Sequence, residues 1–261
     1  MKHLLKTFTA GTMALTLVLS GISATAQEKA KFRLVINEKA KKVDVLVDGQ
    51  PFTSYIYPDI LKKPVLYPVR TAKGTLVTGG WPLEPRAGER VDHPHHVGVW
   101  FNFGDVNGHD FWNNSNNIGG HKGPFGTIRH RKVNKAVSGD DKAELDVTMD
   151  WHNKDSVAII QEDTKYIFSG EGNTRIIDRI TTLTALKEDV VFKDNKEGMF
   201  AMRISREMEQ PYDKAEKLTD KNGNVTNVAV MDNSVVTGKY LSDQGKEGDD
   251  VWGTRAKWVV L

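Results

Sequence analysis

Ala143-Glu144-Leu145-Asp146-Val147-Thr148-Met149-Asp150-Trp151 alternates apolar and polar residues without a break. A period of two puts Ala143, Leu145, Val147, Met149 and Trp151 on one face of a strand and Glu144, Asp146, Thr148 and Asp150 on the other. One face meets a core and the other meets water. Outward from this strand the pattern repeats. Thr127 to Val137 precedes it across a Ser138-Gly139-Asp140-Asp141 turn. Val157 to Phe168 and Thr174 to Thr184 follow, separated by His152-Asn153-Lys154-Asp155 and Ser169-Gly170-Glu171-Gly172-Asn173. Val43 to Val47, Asp48-Gly49 and Phe52 to Tyr57 read as a hairpin, because an Asp-Gly pair supplies the backbone a tight turn demands. Strands this long sit at the upper end of the usual ~3–10 residues. They predict an all-β fold with little helix, a large antiparallel β-sandwich of the supersandwich or mutarotase-like type. Residues 213 to 250, rich in Lys, Asp, Asn and Gly, predict a polar, mobile surface excursion carrying one short hairpin.

The two ends of the chain read differently. Lys2 and Lys6 precede an apolar run from Phe8 to Leu19, and Ala24-Thr25-Ala26 is a small-x-small cleavage pattern. Residues 1–26 are therefore expected to be a signal peptide, with residues 27–261 forming one exported, periplasmic or secreted domain. No second apolar run follows, so no membrane partner is expected after cleavage. At the other end Val251 to Leu261 rises in hydrophobicity without a closing turn, which predicts a C-terminal truncation, since sheets avoid bare apolar strand ends. There is no cysteine, which excludes disulfides, thiolate metal sites, a cysteine nucleophile and a lipid-modified cysteine. A formal charge of +2 leaves no electrostatic footprint for nucleic acid. The sequence sets no oligomeric state.

The chemistry concentrates between positions 92 and 112. Asp92-His93-Pro94-His95-His96-Val97-Gly98-Val99-Trp100 and then Gly104-Asp105-Val106-Asn107-Gly108-His109-Asp110-Phe111-Trp112 hold four of the eight histidines and two of the six tryptophans. If Val97, Val99, Phe101 and Phe103 face the core, His96, Gly98, Trp100 and Asn102 line the opposite face. An imidazole, a gap, an indole and a carboxamide in one row suit a sugar site, with Trp100 as stacking platform. His93 and His95 flank Pro94, which keeps them at an edge or in a loop. At i and i+2 they are able to chelate one metal with a third ligand from elsewhere, or to cap neighbouring carbonyls. No cofactor and no tightly held metal is expected.

Further along, Phe200, Met202 and Ile204 alternate with Met199, Ala201 and Arg203, so Glu197 and Arg203 share one face. Taken alone, that pair also reads as an exposed ion pair of little energetic worth. Asp105, Asn107 and Asp110, and the run Asn113-Asn114-Ser115-Asn116-Asn117, read as turn residues first. Their closeness to His96 and Trp100 makes Asp105, Asn107, Asp110 and Trp112 candidates for ligand contact as well.

Five ordered motifs carry a family resemblance. Tyr67-Pro68-Val69-Arg70-Thr71, Asp92 to His96 with Gly98 and Trp100, Gly104 to Gly108 with Asp110-Phe111-Trp112, Lys196-Glu197-Gly198-Met199-Phe200, and Val251-Trp252-Gly253-Thr254-Arg255-Ala256 resemble the PmoA-like family of secreted bacterial proteins, usually labelled "methane oxygenase PmoA". Methane oxidation is not carried over, because a methane oxygenase subunit spans the membrane several times and no span follows the leader here. What the resemblance implies is an all-β sandwich that looks like a partner of sugar-metabolising oxidoreductases and hydrolases. Val97 stands where the family pattern often has an arginine, which bears on ligand charge.

Three functions compete. The first is a carbohydrate-active enzyme of lyase, hydrolase or epimerase type working on a small sugar or glycoside. His95 or His96 would be its acid/base, Glu197 the complementary carboxylate and Arg203 an oxyanion stabiliser. His93, Trp100, Asn102, Asp105, Asn107, Asp110 and Trp112 would bind the substrate. Pairing of His and Glu across a β cleft is mutarotase-like by analogy. The second is a non-catalytic glycan-binding or scaffold domain, and the third a His/carboxylate metalloenzyme. The enzyme reading predicts that His96 and Glu197 face one cleft.

Overall fold

Residues 30–118 and 120–261 are described by a computed structural model, and the expected leader lies outside them. Strands β1 (Phe32–Asn37), β2 (Lys42–Val47), β3 (Gln50–Ile56), β4 (Val65–Leu66) and β5 (Val99–Phe101) open one sheet. The four long strands β6 (Thr127–Val137), β7 (Lys142–His152), β8 (Ala158–Ser169) and β9 (Ile176–Ala185) form a second. The chain then returns with β10 (Phe200–Met202) to the far edge of the first sheet, giving the order β1-β2-β3-β4-β5-β10. Neighbours pair antiparallel in both sheets. Asp48 and Gly49 both take left-handed backbone, at φ 51° and 76°, as the tight turn between β2 and β3 requires. The described helical segments are two 3-10 turns, Arg206–Met208 and Gly248–Val251, and no described helix is long and apolar enough to cross a membrane.

Alternation in β7 builds the core. Ala143, Leu145, Val147, Met149 and Trp151 are all buried, and they pack with Phe32, Val43, Val45, Phe52 and Tyr55 of the first sheet and Ile160 and Phe168 of β8. Two sheets with interdigitated inner faces make a sandwich. Thr148, on the outer parity, is buried too; its hydroxyl donates to Asp163 at 2.6 Å and accepts from Asn134 at 2.8 Å.

A charged pair, Glu162 with Arg179, lies within the sandwich. Glu162 of β8 is fully buried, and its carboxylate accepts from Trp151 Nε1 and Thr164 Oγ1, each at 2.7 Å, and from the Arg179 guanidinium. Arg179 also donates to Tyr166 Oη at 2.9 Å and lies 4.4 Å above the Phe101 ring. Every oxygen of this carboxylate is matched, as a buried charge demands.

The region 213–250 needs correction. Its expected hairpin is β11 (Glu216–Thr219) with β12 (Val225–Val228), and a further pair joins β13 (Leu241–Ser242) to β14 (Val259–Val260). It is not a loose excursion, because Leu218, Thr219, Met231, Val236 and Ser242 are buried. The β11 backbone bonds the 88–91 segment through Gly88 N to Thr219 O and Thr219 N to Glu89 O, at 2.8 and 2.9 Å. Polar composition hid a few anchoring residues. Phe200 and Met202 are a second departure. They face an open cleft between the sheet edges, beside Val99, Phe101, Tyr166 and Ile177, and Phe200 is 60% exposed.

Candidate functional site

The histidine segment is a loop, folded back by a bond from His96 N to His93 O at 2.9 Å, and it feeds directly into β5. Its side-chain directions depart from simple alternation at Gly98. That residue has φ +58°, and a Cβ there would lie 2.2 Å from Leu66 O, so only glycine fits. Alternation holds from Val99 onward, with Val99, Phe101 and Phe103 against the main core. Val97, before the kink, falls on the opposite side, packed with Val65, Tyr67, Trp100 and Trp112.

Trp100 is therefore no open platform. It is 2% exposed and covered by the His96 ring, stacked at 4.8 Å, which is in turn covered by His93 at 4.6 Å and 4°. Trp112 closes the stack from the side, 5.5 Å from each of His96 and Trp100. His95 stands edge-on to His96 at 4.4 Å and to His121 at 5.6 Å. The cluster is aromatic inside and charged at its rim. His93 Nδ1 lies 2.6 Å from Asp92 Oδ2, out of line for a good hydrogen bond, and Arg203 donates to Asp92 Oδ1 at 2.8 Å. Burial pushes the Asp92 carboxyl up, but contacts with His93 and Arg203 outweigh it and hold the group well below the usual carboxylate range.

Arg203 lies beside this cluster, its backbone N bonded to Gly98 O at 2.9 Å. Glu197 is the exception. It precedes β10 at the end of the strand pair near Gly104, with its backbone N bonded to Asn195 at 3.0 Å and its carboxylate paired with Lys196 at 2.9 Å. No hydrogen bond or ion pair joins it to a histidine among the described residues. Asp92 holds the place expected for Glu197, because the Arg203 guanidinium pairs with it, whereas Glu197 lies in the bend before β10 and pairs with Lys196.

Several expected ligand contacts are structural ties. Asn102 is fully buried and donates to Phe111 O at 2.6 Å. Asp105 accepts from Gly108 N at 2.9 Å, and Asp110 accepts from the backbones of Trp112 and Asn113 at 2.8 and 2.9 Å. Asn107, at φ 51°, clips this loop to Asp189 O and Val191 N. The turn reading of these residues is the one the geometry realises.

Sequence reasoning missed Lys63. Its side chain is buried, and Nζ donates to His95 O at 2.8 Å and lies 5.5 Å from the Trp100 ring centroid. Burial brings its pKa down to about 7, with Asp110 opposing the shift. The only signal was the pair Lys62-Lys63 inside the otherwise apolar run Ile60 to Val65. Burial likewise lowers His95 to about 3 and His96 to about 2, with neighbouring imidazoles and Lys63 adding to it, so both rings are neutral at pH 7.

A cavity of about 250 Å³ adjoins this cluster, lined by Lys63, Trp81, Pro82, Pro94, His95 and Asn114 among others. Its Trp81 loop is held by Glu89, a buried carboxylate that accepts from the backbone N of Gly80, Trp81 and Arg86 at 2.7, 3.0 and 3.2 Å. In the cavity wall Nε2 of His95 and Nε1 of Trp81 are buried without a protein partner, as are Nε2 of His96 and Nε1 of Trp100 in the adjoining stack. Among the described residues no three His, Cys, Asp or Glu side chains are grouped to hold a metal ion.

Fold and site together define an all-β sandwich with a buried histidine cluster beside a small cavity. The chain belongs to a family of unknown function (DUF6807), matched over residues 42–261. No curated protein and no solved structure matches it.

Proposed function

We propose that this protein is an enzyme acting on a sugar or glycoside by proton transfer, of lyase or epimerase type, in the cavity walled by His95, Trp81 and Lys63. One observation carries the reading: His95 and Trp81, both in that wall, keep ring nitrogens buried and unbonded. Each such atom, left without any partner, would cost about 1–3 kcal/mol, which a ligand seated in the cavity would offset. Both atoms are shielded from bulk water, so a ligand reaches them by seating in the cavity and shifting its wall. Trp81 takes over the role expected of Trp100, offering an aromatic surface beside polar groups as sugar sites do.

Neutral His95 suits a substrate that develops negative charge on oxygen. Its ring N–H would polarise a carbonyl, and an oxyanion forming beside it would raise its proton affinity. The hydrolase variant has less support, because it needs two carboxylates flanking one bond and Glu197 stands apart. The expectations of export through residues 1–26 and of kinship with the PmoA-like proteins accompany this proposal.

A second reading, a glycan-binding module without turnover, draws on the low basicity of His95 and His96, which suits holding better than proton transfer. A mass-spectrometric screen of glycosides and their oxidised keto derivatives separates the two. Turnover lost in His95→Phe with binding kept supports the enzyme. Binding without turnover in the wild type supports the module.

A further inference from the structure

We propose that Lys63 is a nucleophilic amine that condenses with an aldehyde or ketone small enough to enter the His95–Trp81 cavity, forming a Schiff base. This rests on reading that cavity as the substrate site and names the substrate class, carbonyl compounds.

The geometry carries the idea. Lys63 is buried in the cavity wall, and its one hydrogen bond goes to a backbone carbonyl, His95 O. No carboxylate pairs with it among the described residues, whereas the buried Glu162 has the Arg179 cation. An ammonium without a counter-ion in an apolar setting is costly, and shedding the proton removes the cost. The pKa of about 7 agrees: at pH 7 roughly half of Lys63 is free amine, against about one part in 10³ of an ordinary lysine. Desolvation of this kind activates lysine toward carbonyl carbon.

The step balances without a co-reactant. The Nζ lone pair attacks the carbonyl carbon, the C–N bond forms, and the carbonyl oxygen takes a proton to give a carbinolamine. The C–O bond then breaks, oxygen leaves as water, and a C=N bond remains. Nothing is oxidised or reduced. The two protons lost by Nζ leave with the departing water, and His95, whose neutral ring shares the cavity wall, is placed to hydrogen-bond the carbonyl oxygen.

The test uses glyoxylate and sodium cyanoborohydride at pH 7 on the full chain, with peptide mass spectrometry to locate carboxymethyl-lysine. Its neighbour Lys62 serves as internal reference, and urea-unfolded protein as the state in which both react alike. We expect Lys63 to be labelled at least tenfold faster than Lys62 in the folded protein, with the preference gone in urea. Lys63→Met should abolish the preferred site while the melting temperature holds. Labelling of Lys63 no faster than Lys62, or none, overturns the proposal. Glyoxylate is not a sugar, so selective labelling beside a failed glycoside screen keeps Lys63 as the nucleophile and discards only the sugar reading.

Discussion

Glu162 and His95 are both buried, and the protein treats them in opposite ways. Glu162, between the sheets, has both oxygens matched by Trp151, Thr164 and Arg179. His95, beside the β5–β10 pair, keeps Nε2 unbonded, and His96, Trp81 and Trp100 do the same nearby. Low dielectric makes a satisfied network rigid and an unsatisfied one costly. At Glu162 the fold secures a buried charge for stability, while at the histidine cluster it leaves ring nitrogens that a ligand would satisfy.

The largest effect expected from this contrast follows removal of Arg179. Arg179→Met leaves Glu162 charged and buried without its cation, and should cost about 3–5 kcal/mol in urea unfolding. Leu145→Ala, which opens a cavity in the same core, should cost about 2–5 kcal/mol. A loss under 1 kcal/mol in both would mean that the sheets are not packed as described.

Gly98→Ala comes next. It forces a Cβ against Leu66 O at a left-handed position, so it should destabilise by about 1–3 kcal/mol and disturb the histidine stack. Near-native stability would remove the kink that sends Val97 and Val99 to different sides.

Acid and base then separate the two regions through pH. Folded His95 and His96 titrate at about 3 and about 2, below the unfolded value near 6.5, so the unfolded chain binds the extra protons between. Stability should fall as pH drops through that window, and His95→Phe should flatten the fall. Lys63 works in the alkaline range. Its folded value of about 7 lies below 10.5, so stability should rise with pH from 7 to 10.5, and Lys63→Met should remove that slope. Urea midpoints measured against pH check both signs.

The smallest effect belongs to Glu197→Gln, at a surface pair with the 82% exposed Lys196. It should move stability by less than about 0.5 kcal/mol and leave ligand binding unchanged. A large loss of binding would bring Glu197 back into the site.

Much of the fold was legible because one-sided burial writes itself as alternation. Thr127–Val137 matches its predicted bounds, and the five apolar residues of β7 all reach the core. The histidine cluster was legible as a density of histidines and tryptophans between positions 92 and 112, and parity paired Arg203 with Glu197, where the structure pairs it with Asp92. Parity failed where a local event overrode it. Gly98 turns the chain by a left-handed φ, and Glu197 sits in a bend ahead of β10, tied to Asn195 and Lys196, rather than in the strand that carries Arg203. Exposure of Trp100 was illegible, because alternation says which face a ring takes but not what lies over it. Lys63 was hidden by its type, since a lysine in sequence reads as solvated until three-dimensional packing seals it.

The most direct test of the account is turnover and folding measured together in His95→Phe, against the same panel of glycosides and keto-glycosides. Replacing an unbonded imidazole with an apolar ring should leave the protein as stable as wild type or up to about 3 kcal/mol more stable in urea unfolding, while conversion of the substrate found for the wild type falls at least a hundredfold. Unchanged conversion, or collapse of the fold with the activity, would contradict the claim that His95 is held unbonded for a ligand.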